Sequence, residues 1–314
     1  MSTPLIDRHA LARINSHRRR LMGYPEPIDT RPTISTERRA WITTTEMIQD
    51  TLRLVPELTE YTAIIGVARS GLTPATLLAQ MLHLPLYILR QTSEDIIHAG
   101  HGWRLHGREI ELTNPLLVDD TIGSGTSMES SLRICVANNI QARTCVVYQH
   151  PAGSIKADHF AAYLPNPHVL EWNVSNSPYS SRIVWDMDGL ICEDCPPECD
   201  DDGPRYLDWM RSVKPKCLAR RDRITIATGR REKWRAETLA WLDRYGVRAD
   251  LRMHADGDRT FESIVSHKAR ICAEFPDTAP HGHDHSIAML ESDPHQSPAI
   301  EAEIGRPVWH CGLP

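Results

Sequence analysis

The apolar positions of this chain fall into short runs that end at polar or acidic residues, a pattern typical of buried parallel strands. Apolar residues at helical spacing between the runs predict helices, including one over 36–54, one ending at Leu82 and one beginning at Thr126. Strands that alternate with helices predict an α/β fold built on doubly wound parallel sheets. The predicted strands lie at 61–67, 84–90, 115–118, 144–149, 182–185, 224–230 and 289–290.

A polar stretch without periodicity, 173–181, divides this pattern into two halves. A chain of 314 residues has room for two domains of ordinary size. We therefore predict a first domain over 36–174, a linker over 175–180 and a second domain over 181–314. Residues 1–35 are basic and contain prolines but no sustained periodicity, so we expect them to form a partly ordered arm.

The strand predicted at 115–118 leads into a joint that suits a phosphate. Two adjacent acids are followed by a loop of small residues and then by a helix. In such a joint the loop N–H groups and the helix N-terminus converge on an anion, while glycines let the backbone approach it. The two carboxylates accept hydrogen bonds and therefore suit a pair of sugar hydroxyls. The candidate residues are Asp119, Asp120, Thr121, Ile122, Gly123, Ser124, Gly125, Thr126 and Ser127.

A second joint of the same kind follows the strand at 61–67. Arg69 supplies a cation there, and Ser70 and Gly71 suit a tight turn. Neither joint is a Walker loop, because no Lys follows the glycines, and the Gly-x-Gly-x-x-Gly dinucleotide pattern is absent. Two anion-binding joints in one predicted sheet indicate a phosphorylated sugar as the ligand.

The two joints resemble the pyrophosphate loop and the phosphoribosyl pyrophosphate motif of type I phosphoribosyltransferases. The resemblance implies a type I phosphoribosyltransferase fold and transfer of the phosphoribosyl group to a nucleobase-like acceptor, with Mg²⁺ pyrophosphate as the leaving group. It also implies a flexible lid over 91–112 and a homodimer, the usual state in this family.

The segment from His150 to Trp172 resembles the base-binding hood of the xanthine and guanine branch of that family, in which a Trp in the final strand holds the purine. The resemblance implies that both residues contact the base, although core packing of the Trp172 ring is an equally good interpretation. Two departures leave the identity of the base open. His150 stands where that branch has Lys, and Gly123 stands where 6-oxopurine enzymes commonly carry Asp.

The second half carries acids and hydroxyls at the ends of its predicted strands. Asp186 and Asp188 follow one strand, Thr228 ends the next, Lys268 lies on a helical stretch, and Glu291 and Asp293 end the last strand. These segments, in this order, resemble the motifs of the haloacid dehalogenase superfamily. Only a short lid fits between the first two motifs, which implies a Rossmann-like domain with a minimal cap.

That resemblance implies Mg²⁺-dependent phosphomonoester hydrolysis through an aspartyl-phosphate. Asp186 would attack phosphorus, and Asp188 would protonate the leaving oxygen and then activate water. Thr228 and Lys268 would hold the phosphoryl oxygens. The residues expected to lie around Mg²⁺ are Asp186, Asp188, Glu291 and Asp293.

Cysteines in the predicted lid offer a further metal site. Cys192, Cys195 and Cys199, with Cys217 further on, could hold structural zinc, although free intracellular cysteines usually just pack. The alternate histidines at 281, 283 and 285 are open to the same two interpretations, a metal site or a solvated loop.

Composition narrows the classes of function. With 41% hydrophobic and 24% charged residues the chain has a globular composition, and its net charge of −6 argues against a nucleic-acid-binding protein as a whole. No apolar run suits a membrane span or a secretory signal, so we expect a cytoplasmic protein without membrane contact. Eight cysteines are too sparse for a disulfide scaffold.

Together the two halves predict a bifunctional enzyme of nucleotide metabolism, in which a phosphatase acts on the product of a phosphoribosyltransferase or on a relative of it. Two alternatives remain. The first half could sense phosphoribosyl pyrophosphate or a nucleotide without catalysis, leaving the phosphatase as the only active half. The chain could instead be a nucleic-acid-binding regulator that uses its arginine-rich arm.

Overall fold

Three sheets and the helices between them make up the part of the chain that the computed structural model describes. The described residues are 40–101, 112–165, 168–177, 180–219, 222–257, 259–274 and 288–311. They belong to one compact unit that spans Thr33–Pro314. The helices are α1 (Thr44–Leu54), α2 (Leu72–Leu82), α3 (Thr126–Ala137), α4 (Pro204–Ser212), α5 (Arg235–Arg244), α6 (Phe261–Ala273) and α7 (Gln296–Ile304).

Each half of the chain contributes one large sheet, and a pair of short strands forms a third. The strands are β1 (Ala40–Ile42), β2 (Ala63–Val67), β3 (Leu86–Arg90), β4 (Asp95–Gly100), β5 (Pro115–Ile122), β6 (Arg143–Gln149), β7 (His159–Tyr163), β8 (His168–Leu170), β9 (Ile183–Trp185), β10 (Ile224–Arg231), β11 (Ala249–His254), β12 (Ala288–Glu291) and β13 (Val308–His310). Short 3₁₀ helices cover Val55–Glu57, Glu171–Asn176, Ser180–Arg182 and Glu232–Trp234.

The first large sheet has the order β4-β3-β2-β5-β6-β7. All its pairings are parallel except that of β3 with β4. Residues 63–67 of β2 are fully buried, as expected for a strand with helices on both faces. Because β2 and β5 are parallel neighbours, with Gly66 opposite Val118, the segments that follow them emerge at the same edge of the sheet.

The second large sheet has the order β11-β10-β9-β12-β13, and every pairing in it is parallel. Its middle strands β10, β9 and β12 carry the residues predicted to form the phosphatase site. Ligands of open α/β sheets bind at the carboxyl ends of the strands, which is where those residues lie. The α/β fold with mainly parallel sheets is therefore confirmed.

Three predicted elements differ in the structure. The helix predicted over 36–54 is wrong at its start, because β1 precedes it and Thr43 begins α1 in a capping box with Glu46. Part of the lid predicted over 91–112 is the regular strand β4, which pairs with β3. The strand predicted to contain Trp172 ends at Leu170, and Trp172 lies in the 3₁₀ helix that follows.

Several predictions fall outside the described residues, including those for the arm 1–35, the middle of the lid at 102–111 and the histidines at 281, 283 and 285. Among the described helices, none combines the length and the apolar character needed to cross a membrane.

Candidate functional site

The two predicted phosphate joints touch each other. A Cβ atom on Gly71 would lie 2.8 Å from the Cα atom of Asp119 and 2.8 Å from the carbonyl oxygen of Val118. Backbone this close leaves room only for glycine at position 71. The structure thus brings the segment 68–71, in which the Ala68–Arg69 peptide bond is cis, against the acidic end of β5. We call residues 68–71 and 119–127 together the first site.

The loop before α3 is held from outside by the segment 150–157. Gly125 adopts a positive φ of 98°, and a Cβ atom there would lie 2.9 Å from the Cβ atom of Ile155. A Cβ atom on Gly153 would lie 2.8 Å from the carbonyl oxygen of Gly123, and the Ser154 hydroxyl donates to the Ser124 carbonyl. The loop therefore has a covered outer side, while Gly123 and Ser124 themselves stay exposed.

Some side chains of the loop are exposed and accessible to a ligand, whereas others are buried or half-buried. Ser124 and Thr126 are exposed, and their hydroxyls lie 3.2 Å apart. The exposed Ser127 hydroxyl accepts a hydrogen bond from the Gln91 amide. Ile122 is 2% exposed and packs in the core, so only its backbone can face a ligand. Thr121 and Ser70 are half-buried, and Arg69 is exposed.

The two acids of the first site lie within β5 rather than after it, and both are buried. Asp119 is 6% exposed, and its Oδ1 accepts the backbone N–H of Asp120 at 2.9 Å. Burial, and next the neighbouring Asp120 carboxylate, raise the pKa of Asp119 well above its ordinary value. Two adjacent buried acids that form no ion pair with a cation among the described residues are unfavourable, which is a common property of ligand sites.

Trp172 is bound to one of these acids. Its indole N–H donates to Oδ2 of Asp120 at 2.8 Å. The ring is half-buried and packs beside a cluster that includes Ile42 and Leu170. The Arg69 guanidinium donates to the side chain of Asn173, the next residue along. Stacking of Trp172 on a base stays a prediction, whereas its bond to Asp120 is a contact that sequence reasoning missed.

His150 lies at the start of the segment that covers the loop. Its backbone N–H donates to the Ile122 carbonyl, and its Nδ1 accepts the Ala152 N–H at 3.2 Å. The Lys156 ammonium donates to the His150 carbonyl, so a cation lies close to the position where the resemblance implies Lys. The buried Gln149 side chain bonds to His150, Ile155 and Ala157 and so fixes this segment.

The second sheet gathers its predicted residues around a buried lysine. Lys268, on α6, lies 3.0 Å from Oδ1 of Asp186 and 2.7 Å from Oε2 of Glu291. All three side chains are at most 7% exposed. We call these residues, together with Asp188, the second site. Asp186 directly follows the middle strand of the order β10-β9-β12, and Thr228 and Glu291 lie on the strands to either side.

The charges of this cluster do not cancel. Burial, and next the Asp186 carboxylate, raise the pKa of Glu291. Burial opposes the charge on Lys268, but Asp186 and Glu291 outweigh it and raise the pKa of the ammonium. One ammonium thus faces two carboxylates. The pKa of the nearby Asp194 carboxylate is also raised, first by partial burial and then by the charges of Asp188, Asp186 and Asp293. Such an excess of negative charge favours a bound cation.

Two oxygen atoms of the second site converge on one point. The Ser292 hydroxyl lies 3.1 Å from Oδ2 of Asp186 and 2.7 Å from the backbone carbonyl of Asp188. Gly189, with a φ of 78°, makes room for it, because a Cβ atom there would lie 2.6 Å from the Ser292 oxygen. Carboxylate and carbonyl oxygens suit Mg²⁺, which keeps several waters and needs few protein ligands. These donors fit Mg²⁺.

The remaining acid, Asp293, has a structural partner. Its Oδ1 accepts the backbone N–H groups of His295 at 2.7 Å and Gln296 at 3.2 Å, at the start of α7. Glu291 faces Lys268 instead. Across the described ranges, no three His, Cys, Asp or Glu side chains are grouped as a metal site. The Mg²⁺ prediction therefore depends on the two oxygens of Asp186 and Asp188. The Asp293 carboxylate instead caps the start of α7.

Arg230 is the main residue of the second site that sequence reasoning missed. Its side chain is fully buried and donates from Nε to both carboxylate oxygens of Asp188, at 3.0 and 3.1 Å. Nη2 donates to Oδ1 at 2.5 Å, and the guanidinium lies 5.2 Å from the centre of the Trp209 ring. Thr228, two residues earlier on β10, is 1% exposed and accepts the Arg230 N–H through its hydroxyl.

The acidic run in the predicted lid fastens it to the second sheet. Asp200 pairs with Arg259 at 3.0 Å, and Asp202 pairs with Arg231 at 2.6 Å. Asp201 accepts the backbone N–H groups of Gly203 and Tyr206 and so starts α4. These contacts anchor the segment that contains the three acids, and its role as a lid stays a prediction.

The cysteines of the lid are bonded to oxygens in this structure. The Cys192 thiol donates to Oδ1 of Asp188 at 3.2 Å, and the Cys195 thiol donates to the Pro196 carbonyl at 3.6 Å. Burial raises the pKa of Cys195 to about 12, and burial and Asp188 also raise that of Cys192. Zinc requires thiolates, so nothing in this arrangement supports the zinc prediction, which stays a prediction.

Comparison with known proteins bears on the first half of the chain. The family model described as "Phosphoribosyl transferase domain" matches residues 44–182. Among curated proteins, an orotate phosphoribosyltransferase of Lactobacillus johnsonii is 34% identical over 80 residues, which cover 26% of this chain. The match spans only 36% of the length of that relative.

Two solved structures are similar to part of the chain. A purine phosphoribosyltransferase from Pyrococcus horikoshii is 22% identical, with a TM-score of 0.35, covering 43% of this chain and 93% of that one. A xanthine-guanine-hypoxanthine phosphoribosyltransferase from Helicobacter pylori is 21% identical, with a TM-score of 0.35, covering 43% and 92%. Over residues 44–182, which are less than half of the chain, this protein is therefore similar to phosphoribosyl transferase domains.

Proposed function

We propose that the chain is a bifunctional enzyme, which transfers a phosphoribosyl group to a nucleobase-like acceptor at the first site and hydrolyses a phosphomonoester at the second. The observation that carries the proposal is the contact of Gly71 with Asp119. It joins two anion-binding loops beside a buried pair of acids, as a sugar with phosphates at two positions requires. The family match of residues 44–182 supports the same reaction.

At the first site the chain binds and orients phosphoribosyl pyrophosphate. The exposed loop from Gly123 to Thr126 suits the 5′-phosphate, and Arg69 suits the pyrophosphate. Asp119 and Asp120 accept the sugar hydroxyls. A base nitrogen forms the new bond to the anomeric carbon while the bond to pyrophosphate breaks, and pyrophosphate leaves with the electron pair. Arg69 and the loop N–H groups stabilise that charge as it develops.

At the second site Asp186 is the nucleophile. Its carboxylate, oriented by Lys268 and Ser292, attacks phosphorus, and the bond to the leaving oxygen breaks. Asp188, held by Arg230, gives that oxygen a proton and then takes one from the water that hydrolyses the aspartyl-phosphate. Mg²⁺, held by Asp186 and the Asp188 carbonyl, would neutralise charge on the phosphoryl group. Thr228 and Lys268 bind the phosphoryl oxygens.

Release of pyrophosphate tests the first activity. Full-length protein is given Mg²⁺, phosphoribosyl pyrophosphate and each of a panel of nucleobases. We expect release with at least one base and a loss of at least a hundredfold in Asp119→Asn, whereas Asp243→Asn, an exposed acid on α5, serves as the control. Absence of release with every base, measured alongside binding, contradicts the transferase.

The sensor alternative has one observation in its favour. The Trp172 indole already occupies an oxygen of Asp120 that a sugar hydroxyl would use. Calorimetry combined with the release assay decides between the two functions. A sensor binds phosphoribosyl pyrophosphate, fails to bind it in Asp119→Asn and never releases pyrophosphate. The arm needed for a nucleic-acid-binding regulator lies outside the described residues.

Hydrolysis of a nucleoside monophosphate panel tests the second activity. We expect phosphate release that Asp186→Asn abolishes and that Asp208→Asn, an exposed acid of the lid helix α4, leaves within twofold of the wild-type rate. Equal rates in the wild type and in Asp186→Asn would exclude an aspartyl-phosphate at this site.

A further inference from the structure

The segment 168–177 touches both halves of the described unit. It contains the short strand β8 and the 3₁₀ helix Glu171–Asn176. Strand β8 pairs only with β1 among the described strands and belongs to neither large sheet. We call residues 168–177 the bridging segment.

One side of the bridging segment is bonded to the first site. Trp172 donates to Asp120 at 2.8 Å, and Asn173 accepts from Arg69 at 3.4 Å. Glu171 accepts the backbone N–H of Thr44 at the start of α1, at 2.6 Å. Three successive residues thus reach the acidic pair, the pyrophosphate-side arginine and the first helix.

The other side is packed into the core of the second sheet. Val169 and Val174 are each 2% exposed and belong to the cluster that contains Trp185 and Leu290. On β1, the Trp41 ring lies 5.6 Å from the ring of Trp309 on β13. Trp309 pairs with Leu290, the residue before Glu291 of the second site. The same apolar cluster therefore supports the bridging segment and the strand that carries Glu291.

The stretch predicted as a linker strengthens this connection. Ser180 is fully buried, and its carbonyl accepts the indole N–H of Trp185 on β9 at 2.9 Å. The Ser177 backbone N–H donates to the Val174 carbonyl. Within this stretch, Ser177 is thus bonded to Val174 of the second core, and Ser180 is bonded to Trp185 of the same core.

We propose that Trp172 is a positioning residue that orients Asp120, and that the apolar core of the second half sets its position. The second half is then a structural part of the first site. The contact chain runs from Asp120 through Trp172 to the bridging segment, and from there through Trp41 to Trp309. The consequence for ligand affinity rests on the proposed function, whereas the positioning itself does not.

The indole N–H resonance of Trp172 tests the positioning without any ligand. In full-length protein labelled with ¹⁵N at tryptophan, Trp172→Phe assigns the resonance by its loss, and Asp120→Asn is expected to shift it because the acceptor changes. We expect Trp309→Ala to shift it as well, because the contact chain runs through Trp41 to Trp309. Phe261→Ala, which removes an exposed aromatic ring of the same half, is the control and should leave it in place.

Affinity for Mg²⁺ and phosphoribosyl pyrophosphate is measured on the same variants by calorimetry. We expect the dissociation constant to rise about tenfold in Trp172→Phe, which keeps an aromatic ring and removes the indole N–H. In Trp309→Ala we expect it to rise three- to tenfold. Both substitutions act through one contact. The dissociation constant of the double variant should therefore lie within twofold of that of Trp172→Phe. Phe261→Ala should bind as the wild type does.

The outcomes separate the two claims. A Trp172 resonance that stays in place in Trp309→Ala, or losses of affinity that multiply in the double variant, overturns the positioning proposal. A wild-type protein that does not bind phosphoribosyl pyrophosphate, while the resonance shifts as expected, overturns the proposed function and leaves the positioning intact. If Trp309→Ala fails to fold, Trp309→Phe and Val174→Ala replace it, and the same two results apply.

Discussion

At the scale of single residues, the buried acids of the first site favour ligand binding at the expense of stability. Asp119 is 6% exposed and has no cation beside it among the hydrogen bonds and ion pairs of the described residues. Its pKa is raised by burial and by Asp120, so the folded state binds a proton more tightly than the unfolded chain does. Stability from this group is therefore full below the unfolded pKa and falls as the pH rises towards the folded pKa.

Asp119→Asn should consequently stabilise the protein in the absence of ligand. At pH 7 to 8 we expect the free energy of unfolding to rise by about 1–3 kcal/mol, because an amide avoids the cost of a buried unpaired charge. The gain should shrink as the pH falls and disappear below the ordinary Asp pKa of 3.8, where the wild-type acid is protonated in both states. Urea unfolding across this pH range measures it, and a gain that is independent of pH would contradict the assignment.

The pair of Arg230 and Asp188 should be much more important for stability than surface pairs. Arg230→Met leaves a partly buried carboxylate unpaired, and we expect a loss of about 3–5 kcal/mol together with loss of phosphatase activity. Arg252→Met is the matched control, because Arg252 pairs with Asp250 on the same sheet with both side chains exposed, and it should change stability by less than about 1 kcal/mol. Equal effects of the two variants in urea unfolding would contradict a buried pair.

At the scale of elements, the close approach of the two joints predicts that position 71 tolerates only glycine. Gly71→Ala places a methyl group 2.8 Å from backbone atoms of β5, which cannot move without shifting the strand. We expect a destabilisation of about 1–3 kcal/mol and a loss of affinity for phosphoribosyl pyrophosphate. Gly123→Ala is the control for stability alone, since no atom lies within 4 Å of its added Cβ atom. Thermal unfolding of both variants and calorimetry of Gly71→Ala check this, and a tolerated Gly71→Ala would contradict the contact.

The sequence predicted these elements where the signal is local. Apolar runs ending in acids located β5 and β9, because a buried parallel strand leaves its polar groups at its carboxyl end. The start of α1 was missed, although Thr43 and Glu46 form a capping box that the sequence displays. Strand β1 could not be predicted from its own residues, since its only described partner, β8, lies more than a hundred positions away.

Site contacts that join distant parts of the chain were beyond sequence reasoning. Arg230 reaches Asp188 across 42 positions, and Trp172 reaches Asp120 across 52. An arginine at a strand end is usually solvated, and only the packing of Trp209 and Thr238 around Arg230 makes it a buried partner.

At the scale of the whole molecule, the two sites are expected to act in sequence. Phosphoribosyl transfer is reversible, and removal of the 5′-phosphate from the product would pull it forward. The bridging segment gives this arrangement a physical basis, because it is bonded to the first site and packed in the core behind the second. We therefore infer that the described unit works as one enzyme with two carboxylate-bearing sites.

The most direct test is an analysis of products by mass spectrometry, from wild-type protein and from Asp186→Asn, each given Mg²⁺, phosphoribosyl pyrophosphate and a panel of nucleobases. The account predicts that the wild type yields a nucleoside and orthophosphate, and that Asp186→Asn accumulates the corresponding nucleoside monophosphate. A wild type that yields only the nucleotide, or no nucleotide and no nucleoside from any base, would contradict it.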